Sequence, residues 1–265
     1  GIKCVLEECG SANLHQEAIL SEEYARLGIP YRNPIAARVI ANERLECDLA
    51  DTILCPSAYV ADSFSVYGVP RSKCLVIPYA TNPRFRATRP KTPDKSLHVL
   101  FVGSVGVRKG LIYLLEALAL LNDSRITCTV IGRVDPVLAP LLDPYRDFFH
   151  HIPSVPHDEM PAYFAAAHVF VLPTLDEGMA YVLMEALASG TPVITTPNSG
   201  AEGIVREGQN GFLVPIRDSQ TIAEALGRCI ADPELVERLS TAALATATSW
   251  SWDDYAQTLL TALAG

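Results

Sequence analysis

The second half of the sequence alternates strand-like and helix-like segments, and this alternation restricts the fold more than any other feature. From residue 97 onward, five short β-rich runs each precede a stretch in which apolar residues recur every three or four positions. The runs are LHVLFVG, TCTVIG, HVFVLP, PVITT and GFLVP. Residues 99–102 and 169–172 are apolar at every position, as is typical of parallel strands covered by helices on both faces. The pattern predicts a doubly wound α/β domain.

The same pattern occurs on a smaller scale near the N-terminus. Residues 3–8, 52–57 and 74–78 are predicted to be strands with helices between them, and three strands make an incomplete domain. Residues 79–95 are rich in proline and have little apolar periodicity, so they are predicted to be a linker. The predicted organisation is a partial first domain (1–78), a linker (79–95), a complete second domain (96–249) and a final helix (250–265).

Three helices are predicted after the last strand, beginning near Ser219, Pro233 and Trp252. The third has an apolar stripe that must pack against another part of the protein. At the other end, the chain does not start with Met and its first residues already have the pattern of a buried strand. We therefore expect that further sequence precedes residue 1.

Charge and cysteine content exclude several classes of function. A net charge of −9 and a pI near 5.1 disfavour nucleic acid as the main partner, because phosphate backbones require a clustered basic surface. The seven cysteines are an odd number without any C-x-x-C pair, which favours reduced structural thiols of a cytoplasmic protein over zinc ligands or disulfides. The longest apolar runs are strand-sized, well short of the roughly 20 residues of a membrane-spanning helix.

A glycine-rich turn after the first strand of the second domain is a candidate phosphate site. The segment FVGSVGVRKG leaves this strand, turns at Gly103 and Gly106, and enters a helix with Arg108 and Lys109 at its start. Backbone N–H groups at a helix start favour anions, and two cations there could hold a diphosphate. The alternative is a solvated Arg-Lys pair in an ordinary turn. The segment matches neither the Walker A loop nor the Rossmann G-x-G-x-x-G fingerprint, which disfavours dinucleotide redox chemistry.

A second candidate is the stretch EGMAYVLME, which carries Glu177 in a loop and Glu185 in the predicted helix from about Ala180 to Ser189. Helical side chains lean toward the helix N-terminus, so Glu185 would reach back toward a ligand above the helix start. Glu177 would stand beside the free N–H groups of residues 178–181. Two glutamates at this spacing occur readily by chance, and the position at the carboxyl edge of a parallel sheet gives the pair its significance.

Several motifs agree in order and spacing with one known family. The chain resembles the retaining glycosyltransferases of family 4 and their relatives over roughly residues 40 to 260. This resemblance implies a GT-B fold, in which two Rossmann-like doubly wound domains face each other, the first incomplete here and the second complete. The motifs are the E-x7-E element with EALASGTPVI, the G-x5-K-G loop ending in Lys109-Gly110, IGR at residues 131–133, NGFLVP at residues 210–215, and GVPRSKCLVIPYATN upstream.

The resemblance implies a role for each matched position. Arg108 and Lys109 would bind the donor diphosphate, Glu177 the sugar hydroxyls, Glu185 the ribose, and Val155 would lie near the nucleobase. Ser104 stands where many relatives carry a second phosphate-binding Arg. The implied substrate-binding residues are Gly103, Ser104, Arg108, Lys109, Arg133, Val155, Glu177, Gly178, Met179, Ala180, Tyr181 and Glu185.

The family resemblance also implies a mechanism. Retaining transfer would need no metal or cofactor, because the departing phosphate itself takes the acceptor proton and the cations and helix N–H groups stabilise its charge. The implied catalytic residues are Glu177, Arg108 and Lys109. His15 joins them because relatives carry a first-domain histidine near the reacting centre; the alternative is a polar residue on a helix face.

The expected partners are a nucleoside-diphosphate sugar and a glycan, lipid-linked or small-molecule acceptor, as in polysaccharide biosynthesis. A lipid-linked acceptor would bring the protein to a membrane surface as a peripheral protein. Two other functions stay open at this point. One is a non-catalytic nucleotide-sugar-binding or interaction module, and the other is a sugar-nucleotide epimerase, which would need proton-transfer groups at the sugar.

Overall fold

A computed structural model describes residues 3–32, 34–85, 87, 91 and 95–264, which form two parallel sheets. The first sheet has the order β1-β2-β3, and its strands follow one another along the chain. Its elements are β1 (Val5–Glu7), α1 (Asn13–Arg26), α2 (Ala37–Leu49), β2 (Thr52–Cys55), α3 (Ala58–Ser63) and β3 (Cys74–Val76). The three predicted first-domain strands are confirmed, each somewhat shorter than expected.

The second sheet has six strands in the order β6-β5-β4-β7-β8-β9, all parallel. Its strands are β4 (Leu97–Val102), β5 (Ile126–Ile131), β6 (His150–Ile152), β7 (Val169–Leu172), β8 (Val193–Thr195) and β9 (Gly211–Leu213). Its helices are α4 (Leu111–Leu121), α5 (Ala139–Leu142), α6 (Met160–Ala166), α7 (Tyr181–Ala188), α8 (Ser219–Ala231), α9 (Pro233–Thr248) and α10 (Trp252–Ala264).

Five of these six strands are the predicted ones, and β6 was missed. Its sequence, His-His-Ile, has no apolar run, because it forms the edge of the sheet and pairs only with β5. The three predicted C-terminal helices are confirmed. Two of them begin where Asp218 and Asp232 accept hydrogen bonds from backbone N–H groups three residues later, at 2.9 and 3.0 Å.

The core of the second domain lies between its sheet and its helices. Every residue of β7 is buried, and most of α4 is buried as well, which explains the almost continuous apolar sequences of both elements. The first domain has a separate, smaller core around Ile53 and Phe64. The two cores are joined by α1, since Ile19, Tyr24 and Leu27 pack against the core of the second domain.

The predicted linker lies on the second domain where it is described. Phe85 is buried in the second core, and the Ala87 N–H donates to Ala188 O at 2.9 Å. Lys91 Nζ donates to Phe164 O at 2.8 Å, and burial lowers the pKa of this amine to about 8. The other linker positions outside the described residues are Arg86, Thr88, Arg89, Pro90, Thr92, Pro93 and Asp94.

The last helix keeps much of its apolar face in solvent. The Tyr79 ring lies 6.2 Å from the Trp252 ring and 6.4 Å from the Tyr255 ring. Trp252 is nevertheless 44% exposed and Leu260 65% exposed. The expected packing of this stripe is therefore met at its first turn. The family resemblance also implies that this final helix (250–265) crosses back to the first domain, which stays a prediction.

One turn of the second domain requires glycine for two separate reasons. Gly110 precedes α4 with φ +68°, and a Cβ added there would stand 2.0 Å from Pro173 O. Gly208 has the same φ of +68°, but a Cβ there would meet nothing within 4 Å. A comparison of Gly110 with Gly208 therefore distinguishes the cost of a left-handed backbone from the cost of a steric overlap.

We expect Gly208→Ala to destabilise the protein by about 1 kcal/mol through its left-handed backbone alone. Gly110→Ala should lower the free energy of unfolding by about 3 kcal/mol, because the methyl group also overlaps a carbonyl oxygen. Urea denaturation followed by circular dichroism measures both. Equal losses in the two variants would contradict the close approach of Gly110 to Pro173.

Candidate functional site

The strand order of the second sheet reverses between β4 and β7. From β4 the chain proceeds outward to β5 and β6, whereas β7, on the other side of β4, is followed by β8 and β9. Segments leaving the carboxyl ends of β4 and β7 therefore diverge and leave a crevice between them. Open α/β sheets bind their ligands at such a switch point. Both motifs singled out in the sequence, residues 103–110 and 177–185, start at this crevice.

Two cations and one glutamate meet in the crevice. Lys109 Nζ lies 2.6 Å and Arg108 Nη1 2.9 Å from the same carboxylate oxygen, Glu177 Oε1. Neither contact is aligned as a hydrogen bond, and no other described residue hydrogen-bonds this buried oxygen. The Lys109 side chain also lies against Gly103, at the end of β4. The structure thus brings together three predicted catalytic residues and one predicted binding residue.

Backbone hydrogen bonds hold the two loops together. Arg108 O accepts from Leu175 N at 2.8 Å and from the Thr174 hydroxyl at 2.9 Å. On the other side, Glu177 N donates to Asn198 O at 2.9 Å, which ties the loop to the segment after β8. These bonds fix the backbone of Glu177 relative to the backbone of the two cations. The arrangement of charges is therefore held by the main chain as well as by the side chains.

The start of α7 has unused backbone donors. No side chain caps this helix, and the N–H groups of Gly178, Met179 and Tyr181 find no acceptor among the residues that the structure describes. The expectation that all four N–H groups of residues 178–181 are free is wrong at Ala180, whose N–H donates to Ser199 O at 2.9 Å. Three donors remain for an anion or a hydroxyl.

Glu185 lies in α7 and is only 8% exposed. Burial raises the pKa of its carboxyl group from 4.5 to about 7, because the charged form is desolvated. No hydrogen-bond donor reaches this carboxylate from the described part of the chain. A ligand with hydroxyl donors would satisfy it, and a diol is such a ligand.

The remaining predicted residues follow strands of the second sheet or begin α7. Arg133 follows β5 and is exposed, Ser104 is exposed in the β4 loop, and Val155 follows β6, where it packs partly against the core. Tyr181 begins α7 and is half-buried. Met179 is buried, and its sulfur accepts from Tyr79 N at 3.2 Å.

The first domain closes directly over the loop of Glu177. A Cβ added to Gly178 would stand 1.7 Å from Cys9 O, so the two backbones touch and only glycine fits there. The Ser57 hydroxyl donates to Gly178 O at 2.6 Å. Cys9 follows β1 and Ser57 follows β2, which means that the carboxyl edges of the two sheets face each other.

His15, the predicted first-domain residue, reaches the site through two partners. Its Nε2 lies 3.2 Å from the Tyr59 hydroxyl, and that hydroxyl donates to Asp176 Oδ1 at 2.7 Å. Asp176 precedes Glu177 and is 0% exposed. Sequence reasoning missed Asp176 and Tyr59, because a loop aspartate and a helix tyrosine carry no signal until the domains are placed together.

A second polar cluster at the interface was also missed. Glu23 of α1 is fully buried, and Arg217 Nε donates to it at 2.6 Å. The Tyr113 hydroxyl donates to the same carboxylate, and Arg26 donates to Tyr113. Arg217 also forms an ion pair with Glu22 at 2.9 Å. The C-terminal end of α1 is therefore attached to the second domain.

No group of three His, Cys, Asp or Glu side chains in residues 3–32, 34–85, 87, 91 and 95–264 could hold a metal ion. Over the same residues, no helix has both the length and the apolarity to cross a membrane.

Comparison with known proteins places residues 96–232 in one family, described as "Glycosyl transferases group 1". A curated relative, the D-inositol 3-phosphate glycosyltransferase of Streptomyces griseus subsp. griseus, is 36% identical over 178 residues, which are 61% of this chain and 37% of that protein. The chain spans about half or less of the length of the curated relatives it matches.

Solved structures share the arrangement of both domains. Sucrose-phosphate synthase from Thermosynechococcus elongatus aligns with a TM-score of 0.80 and 22% identity, over 98% of this chain and 66% of that one. Anabaena Alr3699/HepE in complex with UDP aligns with a TM-score of 0.74 and 18% identity, over 94% and 76%. The predicted GT-B fold is confirmed by these likenesses.

The raised pKa of Glu185 predicts how stability depends on pH. Its pKa in the folded protein, about 7, exceeds the ordinary value of 4.5. The stabilisation that the protonated carboxyl group contributes is therefore fully present below pH 4.5 and is lost as pH rises through 7. Glu185→Gln should therefore raise the free energy of unfolding at pH 8 by on the order of 2 kcal/mol and leave it nearly unchanged at pH 4.5.

Denaturant titrations at the two pH values measure this difference. Glu237→Gln, at an exposed position of α9, is the matched control and should change stability little at either pH. A Glu185→Gln effect of the same size at both pH values would contradict the assignment of the shift to burial.

Proposed function

The chain belongs to the glycosyl transferases group 1 family, and from this premise we propose that it transfers a sugar, with retention of configuration, from a nucleoside-diphosphate sugar to an acceptor hydroxyl. The observation that carries the proposal is the convergence of Arg108 and Lys109 on Glu177 at the switch point of the sheet. Two cations suit the diphosphate, and the carboxylate between them suits sugar hydroxyls.

The donor is proposed to lie along the carboxyl edge of the second sheet. Its diphosphate contacts Arg108, Lys109 and the free N–H groups at the start of α7, which together offer positive charge and oriented dipoles. Its ribose contacts Glu185, whose desolvated carboxylate gains hydrogen bonds from the two hydroxyls. Its base lies near Val155, and Arg133 stands at the edge of the same groove.

The chemical step is proposed to be driven by charge stabilisation. The bond between the anomeric carbon and the phosphate oxygen breaks, and negative charge develops on that oxygen beside Arg108, Lys109 and the helix start. The acceptor hydroxyl attacks from the face that the phosphate leaves, and its proton passes to the departing phosphate. Glu177 positions the sugar, and His15 faces it from the first domain.

Several further assignments belong to this proposal. UDP is a first donor nucleotide to test, since it is bound in the Anabaena protein, and D-inositol 3-phosphate is a first acceptor, since it stands in the name of the Streptomyces relative. Glycan and lipid-linked acceptors come next, the latter with peripheral association with a membrane. Five of the seven free cysteines are buried, which supports a reduced, cytoplasmic protein.

Nucleotide binding tests the site. Calorimetric titration with UDP, GDP and ADP should identify one preferred nucleotide. Lys109→Ala and Glu185→Ala should each weaken its binding roughly tenfold or more, because each removes a charged partner of the diphosphate or the ribose. Lys95→Ala, which removes an exposed lysine outside the site, is the control and should leave affinity within about twofold. Unchanged affinity in both site variants would refute the assignment.

The stereochemistry of transfer tests the mechanism and separates the enzyme from a non-catalytic binding module. With the nucleotide sugar whose nucleotide binds best, proton NMR of the early product should show the anomeric configuration of the donor. Glu177→Gln should lower kcat by roughly 100-fold, because sugar positioning depends on its charge. An inverted product would refute retention, and tight nucleotide binding without transfer to any acceptor tried would favour the module.

A further inference from the structure

We propose that Asp176 and Tyr59 are positioning residues that fix the tautomer of His15 across the domain boundary. The inference rests on the proposed function, in which His15 faces the sugar. Its starting point is a buried carboxylate of the second domain whose side chain is bound entirely by the first domain.

Asp176 accepts three hydrogen bonds from residues of the first domain. The Ser11 hydroxyl donates to Oδ1 at 2.5 Å, the Tyr59 hydroxyl to Oδ1 at 2.7 Å, and Gln16 Nε2 to Oδ2 at 2.6 Å. The residue is 0% exposed, so no water competes for these oxygens. A carboxylate only accepts hydrogen bonds, and each of its partners must therefore donate a hydrogen to it.

This requirement determines the direction of the next hydrogen bond. A tyrosine hydroxyl has one proton, and Tyr59 gives it to Asp176. Toward His15 Nε2, 3.2 Å away, the same oxygen can then only accept. Nε2 must carry a hydrogen, and in the neutral ring the lone pair is on Nδ1. The two rings also meet edge to face, with centroids 5.6 Å apart and planes at 69°, which limits rotation of the imidazole.

The arrangement exists only when the domains meet, because Asp176 belongs to the loop of the second domain that carries Glu177. The carbonyl oxygen of Asp176 accepts from Arg108 Nη1 at 3.3 Å, while its side chain holds Ser11, Gln16 and Tyr59. Asp176 thus contacts both Arg108 and the residues of the first domain that surround His15. The lone pair of His15 is therefore fixed on Nδ1 only when the loop that carries Asp176 and Glu177 is in place.

The tautomer is directly measurable in the full chain. Long-range 15N–1H spectra of histidine-labelled protein at pH 8 distinguish the two ring nitrogens, and His15→Gln assigns the signals. We expect His15 to be a single Nε2–H form in the unchanged protein and a mixture of both forms in Tyr59→Phe. Tyr163→Phe is the matched control, because no described residue hydrogen-bonds the Tyr163 hydroxyl, and it should leave the spectrum of His15 unchanged.

Kinetics supply the second readout. Tyr59→Phe and Asp176→Ala should each lower kcat by roughly 10- to 100-fold through a misplaced imidazole. Tyr59→Phe, which leaves the bonds of Asp176 to Ser11 and Gln16 in place, should keep the affinity for the preferred nucleoside diphosphate within about twofold. The double variant should lose no more than the worse single variant, because both changes break one chain of hydrogen bonds. A merely structural role would instead weaken nucleotide binding together with kcat.

Three results would overturn the inference: an Nδ1–H form in the unchanged protein, the same tautomer in Tyr59→Phe, or additive losses in the double variant. Failure of the proposed function is a separate result, in which the unchanged protein binds none of UDP, GDP and ADP. In that case the spectra of His15 still decide whether the hydrogen-bond chain fixes its tautomer.

Discussion

The reversal of strand order between β4 and β7 is the constraint on which the rest of the molecule depends. Parallel strands release their following segments at one edge, and only where the order reverses do two neighbouring segments diverge. The crevice that results receives Arg108 and Lys109 from one side and Glu177 from the other. Lys109 and Glu177, which lie 68 residues apart in sequence, become one charged site because of topology. The hydrogen bonds between Arg108 O and residues 174 and 175 then fix their spacing.

The contact between the domains is specified by buried acids as well as by apolar packing. Asp176 and Glu23 are both fully buried, and each is surrounded by donors from the opposite domain. A buried carboxylate is expensive unless every oxygen is satisfied, so a shifted arrangement of the domains would leave an uncompensated charge. Apolar contacts of α1, such as those of Ile19 and Leu27, tolerate sliding far better. The acids therefore set the register in which the two domains meet.

Sequence reasoning was successful where a feature is local and failed where it depends on contacts between distant segments. Five of the six strands of the second domain and the Arg108–Lys109 turn follow from periodicity and from glycine placement, and the family motifs give the crevice residues. The strand β6 was missed because an edge strand needs no apolar run. Asp176 was missed because its neighbours in space, Ser11, Gln16 and Tyr59, are more than 100 residues away in sequence. The prediction that the N–H of Ala180 is free was wrong because Ser199 O, on the loop after β8, accepts its hydrogen bond.

The pairing of Glu177 with two cations bears on how a donor would be recognised. A diphosphate and a carboxylate compete for the same positive charges, so binding an anion at Arg108 and Lys109 frees Glu177 Oε1 from its ion pairs. That oxygen is buried and has no aligned hydrogen bond in the described part of the chain. It therefore needs a hydrogen-bond donor once the two cations bind phosphate. Sugar hydroxyls are such donors. A nucleoside diphosphate alone would leave the carboxylate unsatisfied, whereas a nucleotide sugar would satisfy both groups in one event. Under the proposed function, the ion pair would thus favour the complete donor over its product, a discrimination that aids product release after transfer.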